Sequence, residues 1–168
     1  VAEASADRMT LMNLRSGDVL TAQFNPEELK REFGVNYERL AILGMSHEQL
    51  QFKNRGNEKY MFTLFFDSRS TDNDTIDPKD IENRIDAMTL GSEQARDIAG
   101  GGPPDVLFEW GDHLLLNTRI MGLKYSYKRF TRNGIPVHFS VEVSLEEARD
   151  QRLYAEDVLR YGLQRERG

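Results

Sequence analysis

Two stretches carry residue types that chemistry could use. Asp72-Asn73-Asp74-Thr75-Ile76-Asp77 offers oxygen ligands at close spacing, the raw material of a calcium loop. Such a loop needs glycine at its sixth position for the sharp turn and a bidentate glutamate at its twelfth. Counted from Asp72, those positions hold Asp77 and Asn83, so the acids read as a solvated lead into a helix capped by Asp77. Gly100-Gly101-Gly102 has the look of a phosphate cradle. Pro103-Pro104 stands where the helix N-terminus would be, and no Gly-Lys-Ser/Thr follows. His47, His113 and His138 are scattered, with no second histidine at metal-pair spacing. No Gly-x-Ser-x-Gly elbow occurs, and no carboxylate sits in a context that marks a general acid or base. Trp110, between Glu109 and Gly111, reads as core. The expectation is a non-enzymatic protein with no catalytic, metal or cofactor site.

Composition narrows the class further. The chain has 168 residues, enough for one domain that buries roughly two thirds of its unfolded surface. Charged residues make up 30% and hydrophobic ones 39%, which favours a large solvated or partner-facing surface. The net charge of −6 speaks against a nucleic-acid grip, which needs clustered cations. The absence of cysteine removes disulfides, zinc-finger ligands and thiol catalysis, and is compatible with a reducing cytoplasm. No apolar run approaches the roughly 20 residues of a membrane span, so no membrane partner is expected, and VAEASADRMT lacks a signal peptide's pattern.

The elements are organised around a long hairpin, Met121–Leu145, with Asn133-Gly134 near its tip. Ile135, Val137, Phe139, Val141, Val143 and Leu145 alternate with polar residues, the pattern of a strand with one buried face. A two-residue turn would set Lys128 against Phe139. A three-residue loop, Arg132-Asn133-Gly134, instead pairs Tyr127 with Phe139, Tyr125 with Val141, Leu123 with Val143 and Met121 with Leu145. The expected turn is therefore type I followed by Gly134 in the left-handed region, a G1 bulge. Upstream, Met9–Leu14 and Val19–Phe24 form a hairpin across Arg15–Asp18, and alternation from Leu29 to Tyr37 gives a third strand. Arg39–Glu48 holds Leu40, Ile42, Leu43 and Met45 without clear periodicity, an apolar loop of the kind that meets a partner.

Gln49–Lys53 and Glu58–Asp67 suggest a second hairpin, whose second arm is apolar on both faces and so covered on both sides. A helix follows, with Asp77 as N-cap, Pro78 first, Ile76 stapled to Ile81, and Ile81, Ile85 and Met88 as its buried stripe. Gly91 should end it, and Ser92 should cap a short second helix through Ile98. Val106–Trp110 and His113–Phe130 are strands around a Gly111-Asp112 turn. A charged helix from Glu146 to Gln164 closes the chain, with Ser144 and Glu147 placed as a capping box. The domain plan is an N-terminal arm (1–8), a β-domain (9–147) and a C-terminal helical extension (148–168).

Four motifs in order carry a family resemblance: Phe24-Asn25-Pro26; Leu64-Phe65-Phe66-Asp67; Pro103-Pro104 leading to Phe108-Glu109-Trp110-Gly111; and Arg129–Val137 with its Gly-x-Pro-Val ending. Together, over about Val19 to Leu145, they resemble the tube initiator or hub adaptor of contractile injection systems and contractile phage tails, a tail-tube-like family associated with the peptidoglycan-binding LysM module. The resemblance implies a mainly β (α+β) fold, a tail-tube-like antiparallel barrel or sandwich with one packed helix. It implies a structural, non-catalytic homo-hexameric ring joining the spike or hub to the tail tube within a baseplate. DNA or effector cargo would pass through its lumen without specific binding. The location implied is a virion tail, baseplate or injection particle assembled in the bacterial cytoplasm. The chain ends after one charged helix where relatives often carry LysM, which puts contacts made through that module in doubt. Expected assembly contacts are Leu40, Ile42, Leu43 and Met45 in the apolar segment and Arg132, Asn133 and Gly134 at the hairpin tip. A small-ligand β-barrel and a non-catalytic accessory binding domain are the alternative readings.

Overall fold

The computed structural model describes residues 7–69, 76–91 and 102–148. Among these, nine strands and one helix follow in order: β1 Thr10–Asn13, β2 Val19–Thr21, β3 Leu29–Glu32, β4 Val35–Leu40, β5 Gln49–Arg55, β6 Lys59–Asp67, α1 Pro78–Ala87, β7 Val106–Trp110, β8 Leu114–Phe130 and β9 Pro136–Glu147. Seven strands form one sheet in the order β2-β1-β7-β8-β9-β6-β3, and β4 and β5 form a separate two-stranded sheet. All pairings are antiparallel.

The large sheet curls over its apolar face. Phe62 on β6 and Phe108 on β7 lie three strands apart, yet their rings stack at 5.5 Å between centroids. Phe66 and Phe139 stack at 5.0 Å, and Val141, Val143 and Leu145 complete a fully buried row on β9. Helix α1 contributes Ile81, Ile85 and Met88 to this core, with Ile76 packed at its edge, the arrangement its stapled N-terminus predicts. Asp77 caps the helix by accepting from Lys79 N at 3.1 Å. The sheet does not close into a barrel. Its far ends are pinned instead by a bridge between Phe24 and Phe65, beside which the Gln23 side chain holds the Asp67 backbone on both sides: Nε2 donates to the carbonyl at 2.9 Å and Oε1 accepts from the amide at 2.7 Å.

The β8–β9 turn forms as its residues dictate. Gly134 has φ +77, its N–H donates to Thr131 O at 3.0 Å, and Thr131 N donates to Ile135 O at 2.8 Å. Tyr127, Tyr125 and Leu123 pair with Phe139, Val141 and Val143 as expected. The Met121–Leu145 pairing does not occur: a bulge at Met121 shifts the register, and Ile120 faces Leu145 instead. The reason lies in β8 itself. Leu114, Leu116, Thr118 and Ile120 face inward below the bulge and Leu123 and Tyr125 above it, so the extra residue keeps both halves on the core side.

Four other expectations are corrected. The strand from Leu29 to Tyr37 breaks at Phe33-Gly34, because β3 belongs to the large sheet and β4 to the small one. Gln49–Lys53 pairs with β4, not with β6, whose partners are β9 and β3. Ser144 and Glu147 are strand residues and not a capping box, since the ladder to β6 and β8 continues through Glu146 and Glu147. The helix α1 ends at Ala87 with Met88 as its cap, short of Gly91. Most of the C-terminal helix, the Ser92–Ile98 helix and the acids from Asp72 to Asp74 lie outside the described residues.

Candidate assembly surfaces

The β4–β5 pair is an arm. Every residue of both strands is exposed, although Val35, Tyr37, Leu40, Leu50 and Phe52 are all large and apolar. Tyr37 and Phe52 meet edge to face at 6.0 Å, and Asn36 Nδ2 donates to Asn54 Oδ1 at 2.8 Å. An isolated two-stranded hairpin is marginal in water, and this one leaves its large apolar side chains exposed. Leu40, Ile42, Leu43 and Met45 gather at its tip, where Gly44 turns the chain at φ +89 and Leu43 is 103% exposed. Arg132, Asn133 and Gly134 occupy a different tip, that of the β8–β9 turn. Among the described residues no hydrogen bond or ion pair joins the two groups.

At the root of the arm sits a charge cluster that the sequence reading missed. Glu58, between β5 and β6, has a side chain only 8% exposed. Arg31 of β3 donates to it through both Nε, at 3.0 Å, and Nη2; Arg55 of β5 donates from Nη2 at 2.6 Å, and the Tyr60 hydroxyl at 2.5 Å. The Arg31 hydrogen bond, against the opposing cost of burial, holds the Glu58 carboxyl well below the carboxylate range, at about 2. Burial and the same acid push the Tyr60 phenol up to about 12. The Arg55 guanidinium also lies 4.0 Å from the centre of the Phe33 ring. The only hint in the sequence is an acid directly before the apolar row of β6.

A third surface is an open strand edge. β7 pairs with β8 only from Leu114 to Thr118. From Arg119 to Phe130, β8 has β9 on one side and, among the described residues, no strand on the other. Helix α1 runs beside this edge, with the Tyr125 hydroxyl donating to Asp86 at 2.7 Å. Thr89, Asp86, Met121 and Leu123 line a groove of about 440 Å³ there. On the sheet's polar face, Ser126 is opposite Ser140, Lys124 pairs with Glu142 at 4.0 Å, and His138 Nδ1 lies 3.6 Å from Asp67. No group of three metal-ligating side chains occurs among the described residues, and none of their helices is long and apolar enough to cross a membrane.

Among the described residues, a curled antiparallel sheet with a side-chain-filled interior, a long strand edge that no other strand covers and an exposed apolar arm make a mainly β fold with one packed helix. The chain belongs to the contractile injection system tube protein family, whose model matches residues 5–156. No characterised protein sequence matches it. Among solved structures, a chain of the virion of a native gene transfer agent particle is 13% identical, with 89% of this chain and 96% of that one covered at a TM-score of 0.44. A chain of the 6-fold symmetrised anti-feeding prophage baseplate is 10% identical, with 89% and 93% covered at a TM-score of 0.39.

Proposed function

We propose that this tube-family protein is a structural, non-catalytic ring former, a hexamer that joins the central spike or hub to the tail tube of a contractile particle. The open edge of β8 carries the reading. A free edge of that length, backed by half-buried Leu123 and Tyr125, invites uncontrolled pairing unless another strand covers it. Among the described residues, β3 likewise has no strand on its outer side, at the opposite end of the run β8-β9-β6-β3. Two complementary edges on one chain make a head-to-tail interface, which closes into a ring when the rotation between successive copies divides the full circle. The β8 edge of one copy then meets β3 of the next, and the sheets join into one wall.

The polar face of that wall suits a lumen. On β6, β8 and β9 it presents Thr63, Ser126, Ser140 and Ser144, with Lys59, Lys124 and Lys128 balanced by Asp67, Glu142 and Glu146. A surface with no strong field of either sign lets DNA or effector cargo slide past. The small-ligand alternative fares worse, because Leu64, Phe66, Phe108, Ile85 and Met88 fill the interior where a ligand would sit.

The chain has no cysteine, so an engineered pair reports contacts cleanly. Lys30→Cys on β3 together with Ser126→Cys on β8 should form intermolecular disulfides under mild oxidation, giving a ladder of products that ends at the hexamer. Native mass spectrometry and negative-stain images of the wild type should show rings. A protein that stays monomeric at all concentrations, with hub and tube proteins present, would overturn the proposal. So would stoichiometric ATP binding accompanied by turnover.

A further inference from the structure

We infer that Glu58 is the positioning residue of the arm, a buried anion that fixes the direction in which β4 and β5 leave the body. The inference rests on the reading of the arm as an assembly element. The arm joins the body through two short crossings, Phe33-Gly34 and Gly56-Asn57, each beside a strand end. At these crossings Gly56 N donates to Gly34 O at 2.8 Å, and a Cβ at Gly56 would lie 3.4 Å from that same oxygen. The two chains are thus held close with little side-chain bulk to restrict rotation. Restriction comes from Glu58.

Its carboxylate gathers one guanidinium from the body side, Arg31 on β3, and one from the arm side, Arg55 at the end of β5. Tyr60 fixes the carboxylate from the core side. Its own carbonyl accepts from Glu147 N at 2.8 Å, which ties the cluster to the end of β9. Phe33 lies under both guanidinium groups, 4.0 Å from Arg55 and 5.6 Å from Arg31, so the first crossing is clamped as well as the second. Four elements, β3, β5, β6 and β9, therefore converge on one acid. Both arginines are themselves about half exposed, so they can turn to water if the acid is lost, and the core below does not depend on them. The consequence of removing Glu58 falls on the arm.

The test compares wild type, Glu58→Gln and Phe33→Ser by hydrogen–deuterium exchange and by ring assembly. Phe33 is 45% exposed and outside the core, so its variant separates loosening of the root from loss of fold. Amides of residues 35–40 and 49–55 should exchange at least tenfold faster in both variants, with those of β9 unchanged. The protein concentration needed for rings should rise at least tenfold. Equal acceleration in arm and sheet would make Glu58 a general stabiliser and overturn the inference, as would an unchanged arm. Rings that form at the wild-type concentration despite a loosened arm would overturn it too. If wild-type protein makes no rings, the ring proposal fails, and the exchange pattern alone still decides whether Glu58 holds the arm.

Discussion

Replacing Leu40, Ile42 and Leu43 together by serine separates assembly from folding. In the isolated chain these residues are 41%, 46% and 103% exposed. Leu43 has no buried surface to lose, whereas Leu40 and Ile42 are each a little over half covered and lose about 1–2 kcal/mol apiece, in an arm outside the core. Assembly is different. Burying a leucine or isoleucine side chain completely contributes about 1.5–3 kcal/mol. Leu43 has all of that still to gain at an interface, and Leu40 and Ile42 each have a little under half. The arm tip should therefore contribute about 3–6 kcal/mol per copy, which corresponds to a weakening of roughly two to four powers of ten. Circular dichroism of the monomer should be nearly unchanged, because the core sheet keeps its contacts, while sedimentation or mass photometry with spike and tube proteins should show loss of the complex. A triple variant that unfolds would place the three residues in the core. One that assembles at the wild-type concentration would show that the contact lies elsewhere.

Three further outcomes follow from particular residues. Gly134→Val should cost about 1–2 kcal/mol in urea unfolding, because Gly134 sits at φ +77 with open space where a Cβ would stand, so the penalty is purely conformational; Gly134→Asn should recover much of it. Phe108→Ala should destabilise by about 3–5 kcal/mol, since the ring is fully buried and stacks on Phe62. The Glu58 carboxyl is held at about 2 from an ordinary value of 4.5, so its hold on the arm is complete above pH 4.5 and fades as pH falls towards 2. Amides of the arm strands should therefore lose protection between pH 4.5 and 2 in the wild type but not in Glu58→Gln, and the same loss in both would show that other carboxylates control the arm.

Strand β9 was legible because alternation reports directly which face of a strand is buried, and the turn followed from Gly134 and the pairing it allowed. The helix start was equally plain in Asp77 and Pro78. Pairing partners were less visible. Gln49–Lys53 has the spacing of a hairpin with Glu58–Asp67, yet pairs backward with Val35–Leu40 across the apolar tip. Alternation describes a strand but does not name its neighbour. Val35 and Tyr37 on one side of the tip, with Leu50 and Phe52 on the other, carried the signal of an arm. The cluster at Glu58 was beyond local reading altogether, since Arg31, Arg55 and Phe33 reach it from separate elements.

The bulge at Met121 gives β8 a change of parity. Even-numbered residues face the core before it and odd-numbered ones after it. Deleting Met121 itself would leave a regular ladder with Leu123 and Tyr125 still facing the core, because Ile120 and Gly122 already face the consecutive residues Leu145 and Ser144; deleting one residue elsewhere in β8 would turn one half to the polar side. A two-residue insertion above the bulge, matched on β9, would only lengthen the hairpin. Descendants of this chain can thus change the length of the hairpin in steps of two residues, and an odd-numbered change survives only at the bulge or where a second one restores the phase.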